Sequence, residues 1–516
     1  MIQKIKTFTT LGLQGFEITV EADSNRSLPG IEIIGLPDAA IKESKERIRA
    51  TFRSINLDLP KRKIILNLSP SDTKKIGTSF DLPMAIAILL LIYDGKVYNH
   101  EIINDSLFFG ELGLDGGVKR VNGLLPSVIS GIKKGYRQFF IPQDNIYELE
   151  YIPNITIYPI KNFQEILEFF INGKDINKIN SPQNIENLYS GNNNFDVDFE
   201  HIKGQIFAKR ALAIAAAGLH NLIMIGAPGS GKTMLSKALQ SILPPLGFEE
   251  ILEVSQIYSV VGKLNKDSPL IIQRPFRQVH HTASKISIIG GGSNLTPGEV
   301  SLAHKGVLFF DELTEFPREV LEVLRQPIED KTINISRVAG TIQYPANFMF
   351  VGSMNPCKCG YYKDPEKACI CNINDIKKYQ SKISGPLLDR IDMIMEIPRE
   401  NIEKILDKIS SESSQSIKEK VIQARQIQQR RFEKTGIYTN SQMSAKHIED
   451  FIHLDSGSKD FLSQAANKLT LSPRIVHRMI KLGRTIADMQ GDGTLTIQHL
   501  AEAMQYRSKT MFIQQE

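Results

Sequence analysis

Residues 221–234 read NLIMIGAPGSGKTM: an apolar run that stops on a glycine-rich loop and re-enters a helical pattern. Gly226, Ala227, Pro228, Gly229, Ser230, Gly231, Lys232 and Thr233 complete G-x-x-x-x-G-K-[ST]. Few arrangements satisfy this spacing. The run must be a buried strand, the loop must turn its amides toward an anion, and the following helix must present its positive N-terminal end to the same point. Lys232 is then expected on the β and γ phosphates of a nucleotide, with Thr233 on Mg²⁺. An incidental glycine-rich turn would not need both flanks.

A second element supports this reading. GVLFFDEL carries a strand straight into Asp311 and Glu312, about 80 residues beyond the loop. There a nucleotide site needs a carboxylate for Mg²⁺, assigned to Asp311, and a base that orients water, assigned to Glu312. An Asp-Glu pair after a strand is otherwise commonly the acidic start of a helix, and the spacing decides against that here. With a helical pattern at 205–219 and further strands at 306–310 and 348–352, the region reads as α/β, a parallel sheet flanked by helices. After residue 399 the signals are helical.

Upstream, residues 1–172 mix strand-like runs at 17–20, 31–34 and 63–68 with apolar helices, an α+β pattern. LPMAIAILLLIY at 82–93 is the most apolar stretch, about half of the ~20 residues a membrane span needs, so it is expected as a buried helix. Residues 173–198, rich in Asn, Ser, Gly and Asp, are read as a linker. The start MIQKIKTFTT has no apolar core of signal-peptide length, which leads us to expect a cytoplasmic protein. A net charge of +5 permits nucleic-acid binding without showing it. All four cysteines, Cys357, Cys359, Cys369 and Cys371, form C-x-C-x9-C-x-C, a clustering that favours structural zinc. The C-x-C spacing is tighter than the usual C-x₂-C, and reduced thiols or disulfides remain alternatives.

The segments RPFRQVHHTAS, IIGGGSNLTPGEVSLAHKGVLFFDELTEF, VGSMNPCKCGYY, SGPLLDRIDM and LSPRIVHRMIKLGRTIADM occur in this order. Together with the loop they resemble AAA+ ATPases, in particular the magnesium-chelatase-like ComM/YifB branch, over nearly the whole chain. The resemblance implies a P-loop AAA+ module at 199–400 and a helical C-terminal lid at 401–516. Within the module it implies an insert in the second helix at about 249–300, a hairpin before the sensor at about 330–346, and a Cys₄ loop at 357–371. It makes Asn355 the polar sensor of the γ-phosphate and Arg390 the finger that reaches a neighbour's nucleotide. Arg474 becomes a second sensor closing over the same γ-phosphate, with Arg478 as the nearby alternative. It further implies ATP and Mg²⁺ and a homohexameric ring. Such rings drive DNA as helicase or branch-migration factors in natural transformation and homologous recombination, in company with recombination proteins. Lys331, Arg337 and Arg277 would meet the DNA backbone, which requires only positioned positive charge.

The N-terminal segments GTSFDLPMAIAIL and GELGLDGGVKRVNGLLPSVISGIKKGYRQFFIP resemble the Lon-protease-like (S5-like) domain. Ser79 falls near its nucleophile. Leu125 stands where that domain carries its lysine, so no amine can activate the hydroxyl and the domain is expected to be inactive. Two alternatives accompany the DNA motor: a chelatase-type motor that remodels a protein partner, and an ATP-dependent protease.

Overall fold

Alternating apolar side chains draw the first strands together. Gln3–Leu11 and Gln14–Asn25 pair antiparallel, the second burying Ile18, Val20 and Ala22 on one face. Lys63–Ser69 adds antiparallel to Gln14–Asn25, and Gly30–Ile34 adds parallel to Lys63–Ser69, making a four-stranded sheet. The three strand-like runs noted above lie in these strands. The apolar run at 82–93 becomes helix Asp81–Ile92, buried continuously from Asp81 to Leu90. Asp81 is tolerated there because Arg47 Nε donates to its carboxylate at 2.6 Å and the Leu112 amide donates at 3.1 Å.

The computed structural model describes residues 2–72, 75–94, 96–180, 195–292, 295–337, 340–400, 412–469 and 471–507. It divides into two units. The first comprises Met1–Gly191 and Phe248–Ile272, the second Asn192–Gly247 and Gln273–Glu516.

Two expectations are corrected in the first unit. The linker does not begin at 173: Ile179–Asn180 pairs antiparallel with Thr156–Ile160 at the edge of a second sheet, continued by Gln138–Pro142 and Ser106–Phe108. Phe108, Phe140 and Tyr158 stack across that sheet with ring centroids 4.6 and 4.3 Å apart. Residues 181–194 of the expected linker lie outside the described residues. Nor is the insert at about 249–300 one piece, since its first part belongs to the first unit. There helix Phe248–Val260 is held by the buried Glu148, whose carboxylate accepts from Ser259 Oγ at 2.7 Å and Asn145 Nδ2 at 2.9 Å. The Gly123 amide donates to Ser259 O at 3.0 Å and Arg120 to Leu264 O at 2.7 Å. A buried carboxylate needs such donors, and the helix supplies one of them.

The second unit is built on a five-stranded sheet, labelled here β1 (Leu222–Gly226), β2 (Phe276–Val279), β3 (Val307–Phe310), β4 (Met349–Met354) and β5 (Met393–Ile397). The order is β2-β3-β4-β1-β5 and every pairing is parallel. Its strands are apolar almost throughout because both faces are covered. Leu222, Met224, Phe309, Val351 and Met395 pack with helices Ile206–Gly218, Lys232–Ile242 and Ser414–Arg431. Between β3 and β4, Thr332–Arg337 and Gly340–Pro345 form the antiparallel hairpin that was expected. At the C-terminal end, helices Ala445–Phe451, Ser456–Lys468, Pro473–Gln490 and Ile497–Gln505 share a core of Ile448, Leu462, Met479 and Leu500. Among the described residues no helix is long and apolar enough to cross a membrane.

Candidate functional site

β1 ends on Gly226, which lies so close to β5 that a Cβ there would sit 2.5 Å from the Ile397 carbonyl oxygen. Gly229 and Gly231 follow with φ of 78° and 85°, left-handed values that turn the loop toward the start of helix Lys232–Ile242. Lys232 Nζ donates to the carbonyls of Gly226 at 2.8 Å and Ala227 at 2.9 Å, and to Asn355 Oδ1 at 3.3 Å. Burial brings its amine down to about 8, against the pull of Asp311 and Glu312. An ammonium so placed gains from an anion, and the loop amides face the same need.

Thr233 Oγ1 donates to Asp311 Oδ2 at 2.9 Å. Hydroxyl and carboxylate therefore adjoin, the donor set that Mg²⁺ takes beside phosphates. Ser353, on β4, donates its hydroxyl to the other oxygen of Asp311 and accepts from the Glu312 amide at 3.3 Å. Sequence reading missed Ser353, although a serine within an apolar strand, two residues before Asn355, is a visible anomaly. Glu312 has φ of 54°, and His281 Nδ1 lies 3.8 Å from its carboxylate. The structure thus brings together Lys232, Thr233, Asp311, Glu312 and Asn355, drawn from the ends of three adjacent strands and the loop.

The arginines stand elsewhere. Arg390 follows helix Gly385–Leu388, donates from Nη1 to Pro386 O at 2.8 Å, and pairs through Nη2 with Glu329. Arg474, at the start of helix Pro473–Gln490, pairs with the same Glu329. It makes no contact with Lys232 or Thr233 and meets the carboxylate beside Arg390. Arg478 is committed to the buried Asp392, which also accepts from the Asn221 amide at 2.9 Å.

Two of the residues expected on DNA have partners within the chain. Arg277 is taken up by Glu299 in a two-pronged pair at 2.6 and 2.8 Å. Lys331, with φ of 57°, turns inward from the hairpin base toward Asp392, Arg478 and Lys481, where burial lowers its amine to about 8. A helix end, helix Arg325–Asp330, fixes that turn before the hairpin begins. Arg337 closes the first hairpin strand, and its side chain lies outside the described residues, as does all of Val338.

The sulfurs of Cys357, Cys359, Cys369 and Cys371 lie within 4.8 Å of one another, with three separations of 3.3, 3.7 and 3.6 Å. A zinc tetrahedron with Zn–S bonds of about 2.3 Å has edges of about 3.8 Å, so the set fits that ion. No disulfide joins any two of them. Gly360, between the two pairs with φ of 87°, packs on the phosphate loop: a Cβ there would lie 2.5 Å from Pro228 Cδ. In the first unit, Leu125 is fully buried in helix Leu124–Lys133, so no amine enters from that position.

Comparison with known families agrees with this geometry. "Magnesium chelatase, subunit ChlI" matches residues 198–405, "Subunit ChlI of Mg-chelatase" matches 20–145, and "Magnesium chelatase, subunit ChlI C-terminal" matches 411–507. The chain is 37% identical over 509 residues to Competence protein ComM of Haemophilus influenzae, covering 98% of this chain and 97% of the relative. It is also 37% identical to Uncharacterized protein YifB of Escherichia coli, with 98% and 96% covered. The Magnesium-chelatase 67 kDa subunit of Heliobacterium mobile is 27% identical over 31% of this chain and 28% of its own length. With family models along its length and relatives matching almost end to end, the chain belongs to the magnesium-chelatase-like ComM/YifB family of AAA+ proteins.

Proposed function

We propose that this protein is an ATPase that assembles as a homohexameric ring and uses hydrolysis at subunit interfaces to drive DNA, as a helicase or branch-migration factor. The observation that carries the interface half is the separation of the catalytic parts. Lys232, Thr233, Asp311, Glu312 and Asn355 converge, while Arg390 and Arg474 meet on Glu329 and touch none of them. Such a set is complete when a second copy contributes its arginines. ATP would lie along residues 226–233, and Mg²⁺, held by Thr233 and Asp311, would supply charge neutralisation at the phosphates. Glu312 would orient the attacking water, and Asn355 would align it without adding charge.

The DNA half rests on the relative named Competence protein ComM, which supports a place in natural transformation and recombination. Of the residues expected on DNA, Lys331 and Arg277 have partners within the chain, and Arg337 on the hairpin is the first candidate. Zinc in the cysteine set would brace the segment between Asn355 and Arg390. The Lon-protease-like identity of the N-terminal domain stays part of this reading, with Leu125 arguing against proteolysis.

The test is strand displacement from a synthetic Holliday junction or forked duplex with ATP, beside Lys232→Ala and Glu312→Gln. Displacement by the wild type and loss in both variants is expected; none by an ATP-hydrolysing wild type would sink the DNA assignment. The matches to magnesium-chelatase subunits favour one other reading, a motor that remodels a protein partner. It predicts hydrolysis indifferent to DNA.

A further inference from the structure

Among the described residues, Glu329 is the one carboxylate that both Arg390 and Arg474 meet. The three side chains come from separate elements: helix Arg325–Asp330, the turn after helix Gly385–Leu388, and the first turn of helix Pro473–Gln490. Two guanidiniums converging without an anion would repel each other, and Glu329 removes that cost. Arg390 is the more deeply set, its side chain 17% exposed against 47% for Arg474. Its Nη1 and Nη2 are both engaged, by Pro386 and Glu329, and its Nε is buried without a hydrogen-bond partner. Both terminal nitrogens of Arg390 are thus occupied on at least one side.

We infer that Glu329 is a resting latch that occupies Arg390 and Arg474 until the terminal phosphate of a nucleotide on a second copy of this chain displaces it. The inference rests on the proposal that Arg390 serves a neighbour's site. A terminal phosphate carries more charge than a carboxylate and offers more acceptor oxygens, so it outcompetes Glu329 once brought within reach. Arg474, half exposed, is positioned by the same carboxylate and is released together with Arg390. Glu329 is thus a positioning residue for the two arginines and touches no nucleotide itself. The latch also stands at the foot of the hairpin, since helix Arg325–Asp330 runs directly into Thr332–Arg337.

The experiment is steady-state ATP hydrolysis by the full-length protein, at concentrations where the rate per chain no longer rises, for wild type, Glu329→Gln, Glu329→Asp and Arg390→Ala. Glu329→Gln is expected to raise kcat about two- to fivefold, the range to which a half-exposed ion pair converts, with KM for ATP little changed. Glu329→Asp keeps the charge on a shorter stem and is expected to raise kcat less. A Glu329→Gln kcat at or below wild type, or an equal rise in Glu329→Asp, overturns the latch provided Arg390→Ala is inactive. Wild-type activity in Arg390→Ala would instead show that the neighbour-site reading itself is wrong. A merely structural Glu329 would lower kcat in both substitutions.

Discussion

Lys232 is held by two loop carbonyls and the Asn355 amide oxygen, with its amine near 8 because burial disfavours the charged form. The sign of the pH effect follows. Below about 8 the empty site already holds the ammonium, and affinity for a nucleotide is flat. As pH rises through about 8 the free protein loses that proton, whereas beside a bound phosphate the amine keeps it, so binding weakens and takes up a proton. Calorimetry in two buffers of different ionisation enthalpy, above and below that point, reads the uptake directly. Ser353 yields a second expectation at this scale. It fixes one oxygen of Asp311 and the amide of Glu312, so Ser353→Ala is expected to weaken Mg²⁺ dependence about tenfold, as loss of an outer-shell partner does. A Mg²⁺ titration of ATPase rate checks it. The loop, the acidic pair and Asn355 were legible in sequence because each is a short motif at a strand end. Ser353 was not, because its role exists only once β3 and β4 lie side by side. Lys331 shows the converse: a hairpin-base lysine looks solvated in sequence, and a left-handed turn brings it toward Asp392.

At the scale of elements, the cysteine segment and the phosphate loop are neighbours, Gly360 lying against Pro228. The C-x-C pairs pointed to a cysteine cluster able to hold a metal, but nothing in their spacing announced where it would rest. Replacing Cys369 and Cys371 with serine is expected to abolish bound zinc, measured by metal analysis, and to weaken nucleotide binding, because the braced segment no longer supports the loop. Unchanged zinc content would count against the site. The helix Phe248–Val260 shows the limit of local pattern. Its sequence reads as helix wherever it packs, and its attachment to the first unit depends on Glu148 and Gly123, more than a hundred positions earlier in the chain. The strand Ile179–Asn180 escaped notice because a two-residue pairing leaves no periodic trace.

For the whole molecule, the two units were foreseeable from the change in pattern near residue 172, while their interleaving through Phe248–Ile272 was not. That segment leaves the second unit just after helix Lys232–Ile242, whose first residues form the nucleotide site, and returns just before β2. The larger claim is that one chain carries only part of each catalytic centre. It is tested most directly by mixing two inactive variants, Lys232→Ala, which lacks the phosphate contact, and Arg390→Ala, which lacks the finger. In a mixed ring some interfaces pair an intact loop with an intact arginine. Hydrolysis is expected to reappear on mixing and to vary with the ratio of the two proteins, whereas mixtures as inactive as either variant alone at every ratio would contradict a shared site.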